Sequence, residues 1–201
     1  MIIEDTVLQG TEEWLQLKAG KPGASSFSKI ITTKGEPSKS AQDYLYQLAG
    51  EAIVGRCEEG YTNWAMEKGI EREAESRELF ELIYGPVRQV GFVYKDESKM
   101  FGCSPDGLLK DAGLELKNPL LKTHVKYLLD GKLPIEYFQQ VHGSMYVMDF
   151  THYYFMSYYP GIAPFILRVE RDEKFISRLA EELERFCFDL AKTIRKLKEM
   201  K

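Results

Sequence analysis

Gly102-Cys103-Ser104-Pro105-Asp106-Gly107-Leu108-Leu109-Lys110-Asp111-Ala112-Gly113-Leu114-Glu115-Leu116-Lys117-Asn118-Pro119 reads as two short apolar runs joined by a turn. The second run, Leu114–Lys117, alternates apolar and charged residues, the pattern of a half-buried strand. Leu114 and Leu116 are expected to point into a core, with Glu115 and Lys117 on the opposite face. Lys110–Gly113 supplies the turn, with Gly113 free to take a positive φ. If the two runs pair, Asp106 sits beside Glu115. Two carboxylates and a lysine at one point suit a hard cation and a water. Magnesium takes oxygen ligands from one or two carboxylates and keeps several waters, which leaves room for a phosphate. The same alternation also describes an ordinary solvated strand face, so the surrounding chain must decide.

The composition sets bounds. A chain of 201 residues suits one domain spanning 1–201, with ample material for a core. No apolar run reaches the ~18 residues of a membrane span, and Met1–Asp5 has no basic stretch leading into an apolar one. Cys57, Cys103 and Cys187 are three, widely spaced, and form neither a disulfide framework nor a metal-binding spacing, so a reducing cytoplasm is expected. The net charge of −4 offers no broad basic groove, although a carboxylate-rich site lowers the net while a local basic strip still binds phosphates.

In chain order, Thr11 caps a first helix carrying Trp14 and Leu17, which ends at Lys18–Gly23. Ala24-Ser25-Ser26-Phe27-Ser28 opens a helix to about Ile31. Its serines and glycine-bearing turn make either a plain N-cap or an anion site with Lys18 close by. A third helix runs over about Ser40–Gly55. A long one from about Trp64 to Tyr84 puts Ile70, Glu73, Arg77, Phe80 and Tyr84 on one side. Glu73, among apolar neighbours, then needs either Arg77 one turn on or a metal. Val87–Lys95 reads as a strand. Leu121–Leu129 is a short helix, and a helix starting at Pro134 runs to about Met148 with Gln140, Ser144 and Val147 on one face. Gln140 is there either a surface amide or a donor to phosphate. His124 and His142 lack metal-ligand spacing and read as structural. Tyr153–Tyr159 and Phe165–Val169 are strands, and Phe175 to Leu197 traces an amphipathic final helix. The order predicts an α/β (α+β-like) domain with a mixed central β-sheet flanked by helices.

With these pieces in order, the chain resembles the phage lambda exonuclease and YqaJ-type viral recombinase group of PD-(D/E)XK nucleases. The resemblance rests on Trp14 with Lys18 and Ala24-Ser25, then Gly69 with Glu73, Cys103-Ser104-Pro105-Asp106-Gly107, Leu114-Glu115-Leu116-Lys117, and Gln140-Val141 with Ser144-Met145. It covers nearly the whole chain and implies a restriction-endonuclease-like core of phage or prophage origin. It implies a Mg2+-dependent exonuclease, with Mn2+ as substitute and two ions, that digests one strand of linear duplex DNA from the 5′ end and leaves 3′ single strands for annealing-type recombination. It further implies a ring-shaped homotrimer, a single-strand annealing protein as partner, and work in the cytoplasm of a bacterial host.

Residue by residue, the resemblance makes Asp106, Glu115 and the backbone carbonyl of Leu116 metal ligands, with Glu73 bound directly or through water. Lys117 positions the attacking water, and Gln140 orients the water or the phosphate. Lys18, Ser25 and Ser104 grip the terminal 5′-phosphate. Lys18 stands where the family carries an arginine, which replaces a forked contact by a point charge. Met66, at the start of the long helix, is a candidate wedge that separates the strands. Two other readings share the fold: a restriction- or repair-type endonuclease, and a non-catalytic DNA-binding protein. A third relative, the CRISPR-associated exonuclease branch, needs four cysteine ligands for an iron–sulfur cluster, and three scattered cysteines do not supply them.

Overall fold

The computed structural model describes residues 1–57 and 72–200. Among the described residues the strands form two sheets, the second of them the mixed, helix-flanked sheet that was expected. The first is antiparallel, in the order β1 (Ile2–Glu4), β2 (Phe92–Tyr94), β3 (Gly102–Cys103). The second runs β4 (Gly107–Leu108), β5 (Gly113–Lys117), β6 (His152–Ser157), β7 (Phe165–Glu170); β5 and β6 are parallel and the other pairs antiparallel. The break falls at Ser104–Asp106, where Pro105 has no N–H to give a ladder. One bridge crosses it: Arg88 and Leu108 each donate N–H to the other's carbonyl at 2.8 Å. The expected strand over Val87–Lys95 is therefore β2 plus that isolated bridge.

The helices are α1 (Glu12–Lys18), α2 (Ala41–Val54), α3 (Glu73–Tyr84), α4 (Leu121–Asp130), α5 (Phe138–Met148) and α6 (Glu173–Glu199). Local chemistry accounts for their ends. Thr11 Oγ1 accepts from Trp14 N, Asp172 accepts from Phe175 N, and Gly55 and Gly131 close α2 and α4 in the left-handed region. Two expectations change. Ala24–Lys29 is a 3-10 helix without a side-chain cap, so the serines there are neither cap nor α-helix N-terminus. Pro134 leads into one 3-10 turn, Ile135–Tyr137, before α5 begins. The expected long helix is described only from Glu73; its start, with Met66 and Gly69, lies outside the described residues.

The parallel β5–β6 pair needs a crossover, and α4 and α5 provide it. Leu114 and Leu116 pack with Phe80 of α3, Met156 and Tyr158 on one face of the sheet. The larger core lies on the other face, where α5, the Ala24–Lys29 turn and Tyr153 and Phe155 of β6 meet, and α6 covers α2. Strand β5 is thus buried on both faces, not half-solvated: Glu115 is 2% exposed. Gly113 does not take a positive φ. Glycine is needed there because a Cβ would lie 2.2 Å from Tyr153 Cε2.

Candidate active site

Strand β5 carries Glu115 and Lys117 on the face that α5 covers. Glu115 Oε1 accepts from Lys117 Nζ at 2.5 Å and from Gln140 Nε2, on α5, at 2.6 Å. Glu115 Oε2 is buried with no hydrogen-bond partner. Asp106 occupies the gap between the sheets and is tied to β5 twice: its N–H donates to Leu114 O at 3.0 Å, and its Oδ2 accepts from Leu116 N at 2.6 Å. That second bond sets the main chain of Leu116 beside the carboxylates.

Burial, and then the charge of Glu115, push the Asp106 carboxyl up to about 8, against the pull of Lys117 and the Leu116 N–H. Glu73 adds a smaller push in the same direction. Burial lowers the Lys117 pKa, but the charges of Glu115 and Asp106 outweigh it and hold the ammonium above the usual lysine range. The ammonium also lies 5.2 Å from the centre of the Tyr137 ring. Lys117 thus faces Glu115 as an ammonium.

Glu73 is half-exposed and not buried among apolar groups as expected. It pairs with Arg77, the first of the two sequence readings, and it also lines the cleft that reaches Asp106. A second, small cleft collects Lys18, Ser25 and Ser104 with Gly23, Gln140 and Ser144. Trp14 organises it. The indole N–H donates to Gly91 O at 2.9 Å and to Ser104 Oγ at 3.2 Å, and the Lys18 ammonium lies 3.7 Å over the ring. Burial lowers the Lys18 pKa, partly offset by Cys57 and Glu51. Gln140 joins the two regions, since it lines this cleft and touches Glu115. A roomier cleft, around Tyr46, Glu51 and Cys57, contains none of these groups. Charge and hydrogen bonding mark the site, not volume.

The donor set fits a hard cation. Among the described residues, no three His, Cys, Asp or Glu side chains converge at metal-binding distance. Magnesium does not need three: one or two carboxylates and waters suffice. The unpartnered, buried Glu115 Oε2 is costly unless a cation meets it. Nitrogen ligands are committed elsewhere, as expected of structural histidines. His124 contacts Ser157 Oγ at 2.8 Å and Ala163 O at 3.0 Å, and His142 Nδ1 accepts from Asp172 N at 3.4 Å.

Sequence reading gave no part in the site to Gln9 or Tyr137, and used Trp14 only as a helix residue and a piece of the family resemblance. Gln9 Nε2 donates to Val90 O at 2.9 Å and to Pro105 O at 2.8 Å, across 81 and 96 residues of chain. No local signal marks such a contact. Ser144 was legible only as a neighbour of Gln140 on one helix face.

The family model of the YqaJ-like viral recombinase domain matches residues 13–153, a span that holds Asp106, Glu115, Lys117 and Gln140. Among solved structures, an alkaline exonuclease (LHK-Exo) from Laribacter hongkongensis is 30% identical over 94% of this chain and 97% of its own, with a TM-score of 0.84. Its complex with dAMP matches with the same figures. A phage-related exonuclease from Haemophilus somnus 129PT shares the fold at a TM-score of 0.66, with 14% identity over 90% of this chain and 96% of that one. No curated protein matches the chain at a significant level.

Proposed function

Since the chain belongs to the YqaJ-like viral recombinase family, we propose that it is a magnesium-dependent exonuclease that digests one strand of linear duplex DNA from the 5′ end. The observation that carries this reading is the grouping of Asp106, Lys117 and Gln140 about Glu115, whose carboxylate has one oxygen held by Lys117 and Gln140 and the other buried with no partner. The similarity to the alkaline exonuclease of Laribacter hongkongensis supports the reaction class.

Asp106, Glu115 and the Leu116 carbonyl would hold the metal, with Glu73 at the edge; two ions, or manganese in place of magnesium, suit the same oxygen donors. When bound, magnesium supplies Lewis-acid stabilisation of the phosphate and lowers the pKa of the attacking water. Lys117, kept charged by Glu115 and Asp106, favours hydroxide over water at its side and stabilises the negative charge that builds on the phosphate. Gln140, fixed by its bond to Glu115, orients the water or the phosphate. Lys18, Ser25 and Ser104 take the terminal 5′-phosphate, whose extra charge distinguishes an end from an internal phosphodiester. Each cut leaves a new 5′-phosphate, so the same cleft takes the next end and the polarity is kept.

In this reading the chain is a single nuclease domain that works as a ring-shaped homotrimer around its DNA. It hands 3′ single strands to an annealing protein in the cytoplasm of a bacterial host. No helix among the described residues is long and apolar enough to cross a membrane.

The test is digestion of a linear duplex labelled at either end, with and without 5′-phosphate, in magnesium and in EDTA, beside a closed circle. Mononucleotides released from 5′ ends in magnesium alone, with the circle intact, are expected. A cut circle would establish the endonuclease reading instead. Binding without cleavage in any metal would leave only a DNA-binding protein.

A further inference from the structure

Asp106 lies between β3 and β4, outside both ladders, so strand pairing alone does not hold its turn. Three carboxyl groups are neighbours there, since both Glu115 and Glu73 act on Asp106. On one side the turn is held by the bonds to Leu114 and Leu116. On the other, two main-chain carbonyls of the turn each accept one side-chain donor. Gln9 Nε2 reaches Pro105 O at 2.8 Å, and Arg77 Nε reaches Asp106 O at 3.3 Å.

Both donors are themselves fixed. Gln9 bonds Val90 O at 2.9 Å, just before β2. Arg77 is largely buried, its side chain 16% exposed, and its Nη2 pairs with Glu73. With the Gln89 amide oxygen facing the guanidinium, Gln89 accepts from Arg77 Nη1 at 2.7 Å and from Nε at 3.1 Å. One guanidinium therefore ties α3, the segment before β2 and the Asp106 turn together. A lysine has neither the fork nor enough reach to serve all three.

We propose that Arg77 and Gln9 are positioning residues that hold the Pro105–Asp106 main chain, so that the Asp106 carboxylate meets a metal ion together with Glu115. They act through the turn. The inference rests on the exonuclease reading for its effect on rate, but the placement of Asp106 is measurable without DNA.

The experiment compares wild type with Arg77→Gln, Arg77→Lys and Gln9→Ala. It measures kcat and KM on 5′-phosphorylated duplex, Mn2+ affinity by calorimetry without DNA, and amide hydrogen exchange. Arg77→Gln is expected to lower Mn2+ affinity and kcat together by about 10- to 100-fold, the usual effect of losing an outer partner of a ligand. KM and the preference for a 5′-phosphate should stay as in wild type. Gln9→Ala should act in the same direction by a smaller factor, and Arg77→Lys should recover part of the loss. Exchange should quicken at residues 104–107 while that of β6 stays slow. Unchanged Mn2+ affinity and unchanged local exchange in Arg77→Gln would overturn the proposal. So would a raised KM with kcat intact, which would make Arg77 a phosphate contact, or faster exchange across the whole chain, which would make it a general stability residue. If wild type itself cuts no DNA, the exonuclease reading fails, yet Mn2+ affinity and exchange still decide the positioning role.

Discussion

Replacing Gly113 by alanine should destabilise the protein through one clash. The added Cβ would stand 2.2 Å from Tyr153 Cε2, 2.7 Å from Cζ and 3.0 Å from Cδ2. Carbons in contact settle near ~3.5–4.0 Å, so ring or strand must shift by more than ~1 Å. Neither is free to do so. Gly113 and Tyr153 are register partners in the parallel ladder, Tyr153 is fully buried, and its hydroxyl donates to Leu114 O at 3.4 Å. Overpacking of this kind costs about 1–3 kcal/mol. For a chain of this size each kcal/mol lowers Tm by roughly 2–4 °C, so a drop of about 2–12 °C is expected. Urea and thermal unfolding followed by circular dichroism in EDTA would measure it. Gly50→Ala is the control: that helical glycine has no neighbour within 4 Å of the added Cβ, and alanine there should stabilise by about 0.5–1 kcal/mol. Adding Tyr153→Leu to Gly113→Ala should relieve part of the loss, as a coupling between the two sites. An unchanged midpoint for Gly113→Ala, or a loss that the shorter side chain does not relieve, would refute the close approach as the reason for glycine. Because Glu115 lies two residues along the same strand, nuclease activity should fall further than the folded fraction does.

Asp106→Ala and Glu115→Ala should each cut cleavage by at least ~100-fold with the circular dichroism unchanged, since each removes a hard-cation donor. Lys117→Ala should lower kcat by about 10²–10³ with KM for DNA little changed, read from single-turnover kinetics. In EDTA, stability should fall as pH rises from about 4 to about 8 and level off above: folded Asp106 keeps its proton up to about 8, while the unfolded carboxyl loses it near ~3.9. Urea midpoints across that range check the slope, and Asp106→Asn should remove it. Lys18→Ala should erase most of the preference for 5′-phosphorylated over 5′-hydroxyl ends, Lys18→Arg should keep it, and in wild type it should shrink as salt rises, all read from initial rates.

Whatever depends on a residue's own neighbours along the chain was legible in the sequence. Thr11, Gly55 and Gly131 mark helix ends because capping is a contact within one turn. Phe175, Leu179, Leu183, Phe186 and Leu190 trace the buried stripe of α6 because helical period alone puts them on one side. The alternation of Leu114-Glu115-Leu116-Lys117 separated the apolar pair from the charged pair, since a strand turns each successive side chain to the other face. The same alternation misjudged exposure: it could not show that α5 would cover the charged face, or that Gln140 and Lys117 would make a buried Glu115 tolerable. The break of the sheet at Pro105, the grouping of Lys18, Ser25 and Ser104 around Trp14, and the hold of Gln9 and Arg77 on the Asp106 turn belong to tertiary structure alone. Periodicity and capping report local geometry, whereas a hydrogen bond spanning 96 residues exists only once strand register and helix packing have brought its two ends together.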